Sequence, residues 1–444
     1  MKTLISRMSI ELVILAGVCV PMQAKVIGQN TPANPLTAEY VRATLPKNQQ
    51  AAWFLYIDRS AKQQAVDRAA WATEFKASGR TTVLIPPQGD SGRSMPVDKD
   101  PAWYGTADAL KIAGVILSFQ TPNGGWSKNL SMTQPARVPG EFYAAPNQAP
   151  TLPGATDADR AQANERAHNA DWGWMATLDN DSTNTELRFL HLVIAALPAG
   201  KSAPYRKSYL RGIDYLLRSQ YPNGGWPQVW PLEGGYHDAI TFNDDAVTES
   251  LESLQPVGEG AVKFVPQATQ KLAAAAFARG LNLVLKAQIV INGKKTVWCQ
   301  QHDALTLAPV SARNYEMPSL ASGESATALE FLMTLKKPSP AVVKAINAGV
   351  AWFKQSAIYG YTWGGTREQG RLLIKREGAG PLWSRYYSLT TDQPIYGDRD
   401  KTIHDDVNDI SLERRNGYSW FNTDGVELAT QYEVWEKNIG SVDK

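Results

Sequence analysis

Apolar residues recur at helical spacing along most of the chain. From about Thr37 to Gly79, residues Tyr40, Leu45, Trp53, Leu55, Tyr56, Ala65, Ala69, Trp71 and Phe75 fall at intervals that predict buried helix faces. The same spacing predicts helices from about Thr106 to Gln120, Thr185 to Leu197, Tyr205 to Gln220 and Ala246 to Leu254. It predicts four more from Pro266 to Ile289, Glu324 to Lys336, Ala341 to Ser356 and Glu427 to Glu436. Strand-type alternation is scarce, and its best candidates are Leu372 to Lys375 and Leu382 to Leu389. The expected fold class is therefore mainly α. Residues 25–36 are polar, carry two prolines and read as a linker, and residues 80–99 read as a loop.

Two of these helices stop in the same way, at Gln120-Thr-Pro-Asn-Gly-Gly-Trp126 and Gln220-Tyr-Pro-Asn-Gly-Gly-Trp226. Proline cannot continue a helix, and glycine supplies the positive φ needed to turn back. Looser echoes follow at Ala287…Trp298 and Gln355…Trp363-Gly-Gly365. Such recurrence suggests repeated helical hairpins around a common axis, with loops gathered at one end to form a groove. Any single copy reads as a helix stop with a packed indole. Two near-identical copies with polar neighbours make Trp126 and Trp226 candidates for the rim of a shared cavity.

Composition adds little to the fold but narrows the function. The chain has 444 residues, enough for one large domain or two, and a formal net charge of +2, which gives no electrostatic case for nucleic acid. Its 14 Trp and 17 Tyr suit sugar faces as well as cores. Lys2 and Arg7 precede an apolar run, Leu12 to Val20, that is too short to span a bilayer. Residues 1–24 read as a secretory signal cut after Ala24, despite a poor Met22, so a secreted protein is expected. Leu15 to Cys19 loosely resembles a lipoprotein signal, but Val18 stands where a small residue is wanted. Without the signal only Cys299 remains, which excludes an internal disulfide and reads as an inert buried thiol. Residues 25–100 read as a helical extension or cap, residues 101–444 as the functional domain, and 131–169 as an insertion or lid.

The chemistry lies in the loops. Asp179-Asn180-Asp181-Ser182-Thr183 and Asn243-Asp244-Asp245 each gather oxygen donors just before a helix. Helix capping favours such residues but needs only one. Two clusters on equivalent ends of neighbouring helices suit Ca²⁺, although no EF-hand pattern is present. Cations recur beside aromatics or carboxylates in other loops: Lys128, Arg313 in Ala312–Pro318, Arg385 in Trp383–Tyr387, and Arg399 between Asp398 and Asp400. Each alone reads as an ordinary surface charge. Together with a divalent ion they point to an anionic sugar acid, since Arg grips carboxylates in a planar fork. The five histidines show no metal-ligand spacing.

Taken in order, the two Asn-Gly-Gly-Trp turns, Thr177–Thr185, Ile240–Ala246, Ala312–Ser319 with Ser322–Ser325, Trp383–Leu389 and Asp398–Asp400 resemble the pectate lyases of polysaccharide lyase family ten. The resemblance runs from about Trp103 to the C-terminus and implies an (α/α)3 toroid-like barrel. It implies a monomeric secreted enzyme that cleaves polygalacturonate by calcium-dependent β-elimination, with no nucleic-acid or membrane partner. It places Arg313 on the catalytic base and Lys128, Asn180, Arg385 and Arg399 on the substrate. It places Asp179 at the calcium site and leaves its partner open among Asp181, Asp244 and Asp245. Elimination removes the C5 proton α to a uronate carboxylate, so cations that neutralise the enolate-like charge and a base within about 3 Å are required. Arginine is a difficult base because its free pKa exceeds about 12, and an alkaline optimum is expected.

Gln220-Tyr-Pro-Asn-Gly-Gly-Trp226 also resembles the repeat of triterpene cyclases, another helical toroid. Their aspartate-rich acid motif is absent, and a secretory signal is out of place for them. A secreted polyuronate-binding protein with a dead site would have lost Arg313 or the acidic loops, and both are present. A lyase for another uronan would keep the same C5 chemistry with altered pockets.

Overall fold

The computed structural model of the chain describes residues 25–131, 134–144, 175–366 and 368–442. The expected signal, 1–24, and most of the 131–169 insertion lie outside them. Among the described residues, helices dominate and the strands are two to four residues long. No helix there is long and apolar enough to cross a membrane.

The N-terminal helical stretch is split by Pro46 into α1 (Ala38–Thr44) and α2 (Lys47–Ala77). It is followed by α3 (Ala107–Ser118), α4 (Asn184–Ala196), α5 (Ala203–Ser219), α6 (Ala246–Gly258) and α7 (Gln267–Ala287). Then come α8 (Ser322–Met333), α9 (Pro340–Ser356), a short α10 (Leu412–Gly417) and α11 (Asp424–Val442). Three hairpins, α4–α5, α6–α7 and α8–α9, form the body of an (α/α)3 toroid. Their first members are inner helices, and α6 packs against both α4 and α8. Leu187, Leu190, Val193, Leu251, Leu254, Leu329 and Leu332 are almost fully buried, and Leu187, Leu251 and Leu329 lie against Gly212, Gly280 and Gly349 of the outer helices. Against the outer helices these chains bury the apolar stripe that made the periodicity legible.

The repeated tryptophan turns fasten one hairpin to the next. The indole N–H of Trp126 donates to Ile116 O at 2.8 Å, and that of Trp226 donates to Leu216 O at 2.9 Å. Trp298 and Trp383 do the same with Val284 O and Phe353 O, at 2.7 and 2.9 Å. Gln120, Gln220 and Gln288 each donate to a carbonyl of the following outer helix or its neighbour: Ser208, Ala276 and Ala345. Gly124 and Gly224 have φ of 103° and 104°, and a Cβ there would lie 2.4 and 2.3 Å from the carbonyl oxygens of Arg211 and Arg279. Only glycine meets both conditions, which is why the turn is spelled twice in the same letters.

The N-terminal helical stretch packs onto the main body. Trp53 and Tyr56 of α2 belong to the main core, and the Tyr56 hydroxyl donates to Ser219 O at 2.7 Å. Asp67 accepts from Asn123 of the first tryptophan turn at 2.9 Å. Leu55, expected on a buried face, is 71% exposed, so the long helix α2 is buried on a narrower stripe than its spacing suggested. Leu372–Lys375 forms a strand as expected and pairs with Tyr361–Gly364. Leu382–Leu389 yields two short strands, Trp383–Ser384 and Tyr386–Tyr387. Residues 25–36 are not merely a linker: Val26–Gln29 is a strand paired with Thr402–His404.

Candidate active site

All three inner helices begin at one end of the toroid. Two follow a tight acidic segment, Asp179–Asp181 before α4 and Asn243–Asp245 before α6, and the third follows the short strand Leu320–Ala321 before α8. Helix N-termini carry partial positive charge, so this end favours anions. Asn180, Asp181, Asp244 and Asp245 have φ between 48° and 58°, a left-handed conformation that non-glycine residues adopt at a cost. Of all residues with side chains, Asn and Asp bear it best, which explains their use here.

These segments floor a cleft of 530 Å³ lined by Lys128, Asp179, Asn180, Asp244, Arg313 and Arg385, and also by Gln228, His237, Glu316, Arg371 and Tyr418. Its chemistry is polar and charged. Lys128 forms an ion pair with Asp179. Asp179 also accepts from the Gln228 amide at 2.7 Å. Burial alone would raise the Asp179 pKa, but Lys128 and a hydrogen bond with Asp244 outweigh it and hold the carboxyl well below its usual range. Asp244 is driven the opposite way, well above the carboxylate range, by burial and by the Asp179 charge facing it. It accepts from the Asn180 backbone N–H at 3.1 Å and the Asn243 amide at 2.6 Å.

Two facing carboxyls that cannot both ionise make a fitting seat for a hard cation, which would remove the repulsion. Among the described residues no three His, Cys, Asp or Glu side chains are grouped to hold a metal. Ca²⁺ takes about 6–8 oxygens, so a cation here would draw most of its ligands from amides, water or a bound anion. The two remaining candidate ligands do not line this cleft. Asp181 lines an adjoining cavity of 280 Å³ with Gln88, Asp90 and Asp244, so Asp244 stands between the two spaces. Asp245 lies behind the cleft near Glu324 and Asp181, and burial and those charges push it up to about 7.

Arg313 sits opposite, on a turn closed by Glu316 N–H donating to Arg313 O at 2.8 Å. Its side chain is 31% exposed. Glu316 takes the guanidinium in a bidentate grip through Nε, at 2.8 Å, and Nη2. It also accepts from the Arg313 backbone N–H at 2.9 Å and the Tyr418 hydroxyl at 2.7 Å. Burial would lower the Arg313 pKa, but the Glu316 charge wins and raises it further. Glu316 is correspondingly drawn down to about 2, against its own burial. Arg385 is tied to Glu324 at 2.7 Å, with its guanidinium 4.7 Å above the Tyr418 ring. His237 is driven down to about 4 by burial and Lys128, and so is neutral at ordinary pH.

Three expected substrate residues do not reach the cleft. Trp126 and Trp226 are 0% exposed and their indole N–H groups are spent on helix carbonyls, so they hold the frame and touch no ligand. Arg399 is bound in a fork by Glu413, at 2.8 and 2.9 Å, and lies 5.5 Å from the Tyr315 ring, behind the Arg313 turn. Its carbonyl accepts from the Asn314 amide at 2.9 Å, so it supports the turn. The sequence reading overlooked Gln228, His237, Glu316, Arg371 and Tyr418. Glu316 stood in a motif already singled out, three residues after Arg313, whereas nothing local marked Tyr418 or Arg371.

The comparisons agree with this architecture. The family model described as pectic acid lyase matches residues 120–429. A solved structure of the family 10 polysaccharide lyase from Cellvibrio cellulosa is 31% identical with a TM-score of 0.62, covering 78% of this chain and 99% of that one. An aspartate-to-alanine mutant of the Cellvibrio cellulosa enzyme, in complex with trigalacturonic acid, is 30% identical with a TM-score of 0.61 and covers 78% and 98%. No curated protein matches the chain. With more than half of its length inside the family match and a fold shared at this identity, the chain belongs to the pectic acid lyases of polysaccharide lyase family 10 and is a lyase.

Proposed function

We propose that the cleft cleaves polygalacturonate by calcium-dependent β-elimination, giving 4,5-unsaturated oligogalacturonides, with Arg313 as the base. The observation that carries this reading is one cleft lined by Arg313, the Asp179–Asp244 pair, Lys128 and Arg385, with Lys128 paired to Asp179 and Arg385 to Glu324. The complex of the related Cellvibrio cellulosa enzyme with trigalacturonic acid supports a polygalacturonate substrate.

Each group has a task. Asp179 and Asp244 would hold Ca²⁺, which would supply positive charge to neutralise the uronate carboxylate and make the C5 proton more acidic. Lys128, Arg385 and Asn180 bind and orient the uronate carboxylates and hydroxyls. Arg371, at the mouth of the cleft, adds a further cation for the polymer. Glu316 fixes the guanidinium by Nε and Nη2, leaving Nη1 as the nitrogen free to approach C5. The Glu316 charge keeps Arg313 protonated in the free protein, so the competent form must lose a proton and activity must rise with pH. The same ion pair favours a second reading, in which Arg313 stays protonated and stabilises the developing enolate.

The test is a rate assay with protein lacking residues 1–24, polygalacturonate, and either calcium or a chelator, followed by ultraviolet absorbance of the unsaturated uronide. A calcium-dependent rise, abolished in Arg313→Ala, is expected. An undiminished rise in chelator would remove the cation from the account. No rise with polygalacturonate, but one with another uronan, would move the substrate.

A further inference from the structure

The segment just after residue 24 reaches the Arg313 turn. Asn30 is 8% exposed. Its side-chain amide lies 3.2, 2.9 and 3.4 Å from the carbonyl oxygens of Arg313, Asn314 and Glu316. These are three of the turn's own carbonyls, converging on one NH2 group. The segment is pinned on both sides of Asn30. Its backbone N–H donates to Lys401 O at 2.8 Å, Gln29 pairs with Thr402, and the Ser311 hydroxyl donates to Thr31 O. Farther back, Lys25 donates through its backbone nitrogen to Asp409 at 3.1 Å and forms an ion pair with Asp405.

We propose that residues 25–31 are a strap whose Asn30 is a positioning residue for Arg313, setting the turn from outside as Glu316 sets it from within. The strap lies outside the segment matched by the family model, 120–429. The proposal rests on the reading of Arg313 as base. The physical case is that Arg313 O and Glu316 O keep backbone donors within the turn, from Glu316 and Ala312, whereas Asn314 O takes its bond from Asn30, so removing the amide takes away the tie at the tip of the turn and the turn relaxes. A displacement of about 1 Å in a reacting group can cost on the order of a hundredfold in rate. No residue of the strap lines the cleft; Asn30 meets the backbone carbonyls of Arg313 and Glu316, so the effect falls on the turn and leaves substrate binding alone.

The experiment compares Asn30→Ala and the isosteric Asn30→Asp with the parent lacking residues 1–24. Gln29→Ala, an exposed strap position, serves as the control that keeps full activity. The expected result is a fall in kcat of about tenfold with KM little changed. Hydrogen exchange over residues 311–317 should quicken in both Asn30 variants, a readout that does not depend on any substrate. Unchanged exchange there would overturn the strap even if the protein proved inactive on polygalacturonate. Faster exchange with a parental kcat would overturn the positioning role. A kcat loss matched by an equal loss in the folded fraction would also overturn it.

Discussion

Two repeats run through this chain, and they behave in opposite ways. The tryptophan turns at 120–126 and 220–226 obey every local rule. Positive φ falls on glycine, each glutamine and indole finds a carbonyl, and both indoles are fully buried. The acidic segments at 179–181 and 243–245 break those rules. Positive φ falls on Asn and Asp, and two carboxyls face each other with opposed pKa shifts. The repeat that satisfies itself holds the toroid together, and the repeat that does not is left with chemistry to offer a ligand.

The largest effect should come from the second repeat. Asp179→Ala and Asp244→Asn should each lower kcat/KM by about 10²–10³, the scale for losing one preorganised electrostatic contact. Thermal melting of Asp244→Asn should stay at or above the parental value, because a repulsive pair has been relieved, whereas Asp179→Ala also strands Lys128 and should melt lower. A melting temperature of Asp244→Asn that fell with activity would make that residue structural and break the contrast. Trp226→Ala should do the reverse. It should cost about 3–5 kcal/mol in denaturant unfolding, typical of emptying a large buried aromatic site, while the folded fraction retains its kcat.

Asp245 offers a subtler test within the acidic segment itself. Its folded pKa, pushed up to about 7, exceeds the unfolded value near 3.8, so the folded state binds the extra proton between those pH values. Stability should therefore fall as pH rises from about 4 to 7 and stay low above that. Asp245→Asn should be more stable than the parent at pH 9, on the order of 1–3 kcal/mol, and equal to it at pH 4. Activity should be retained, because Asp245 does not line the cleft. Loss of calcium response in this variant would instead make Asp245 a ligand.

Much of this was readable from the letters. The helical period, the two glycine turns and the oxygen-rich loops are local features, and they gave the toroid and the carboxylate pair. Which of Asp181, Asp244 and Asp245 stands beside Asp179 in the cleft was not readable, because consecutive left-handed residues aim neighbouring side chains differently: Asp244 lines both cavities, Asp181 the adjoining one and Asp245 neither. The tryptophans misled for a related reason. Their repetition marked importance, but only the hydrogen bond to the preceding helix shows that the importance is architectural. Arg399 and Glu413 are fourteen residues apart and Asn30 is 283 residues from Arg313. Pairings of that range leave no periodic trace, and a polar proline-bearing stretch such as 25–36 reads as linker until its partners are seen.

The central claim, that Arg313 acts as base from a turn fixed by Glu316, is tested most directly by the pH–rate profiles of the parent and Arg313→Lys on polygalacturonate with calcium. The account predicts a parental rate that climbs about tenfold per pH unit through the alkaline range, since the Glu316 pair raises the pKa that must be passed. It predicts a loss of at least about 10³-fold for the lysine, whose single nitrogen would be captured by Glu316 with none left to reach C5. A lysine variant that kept most of its turnover, with a flat profile in both proteins, would contradict it and leave position 313 as a fixed cation rather than a base.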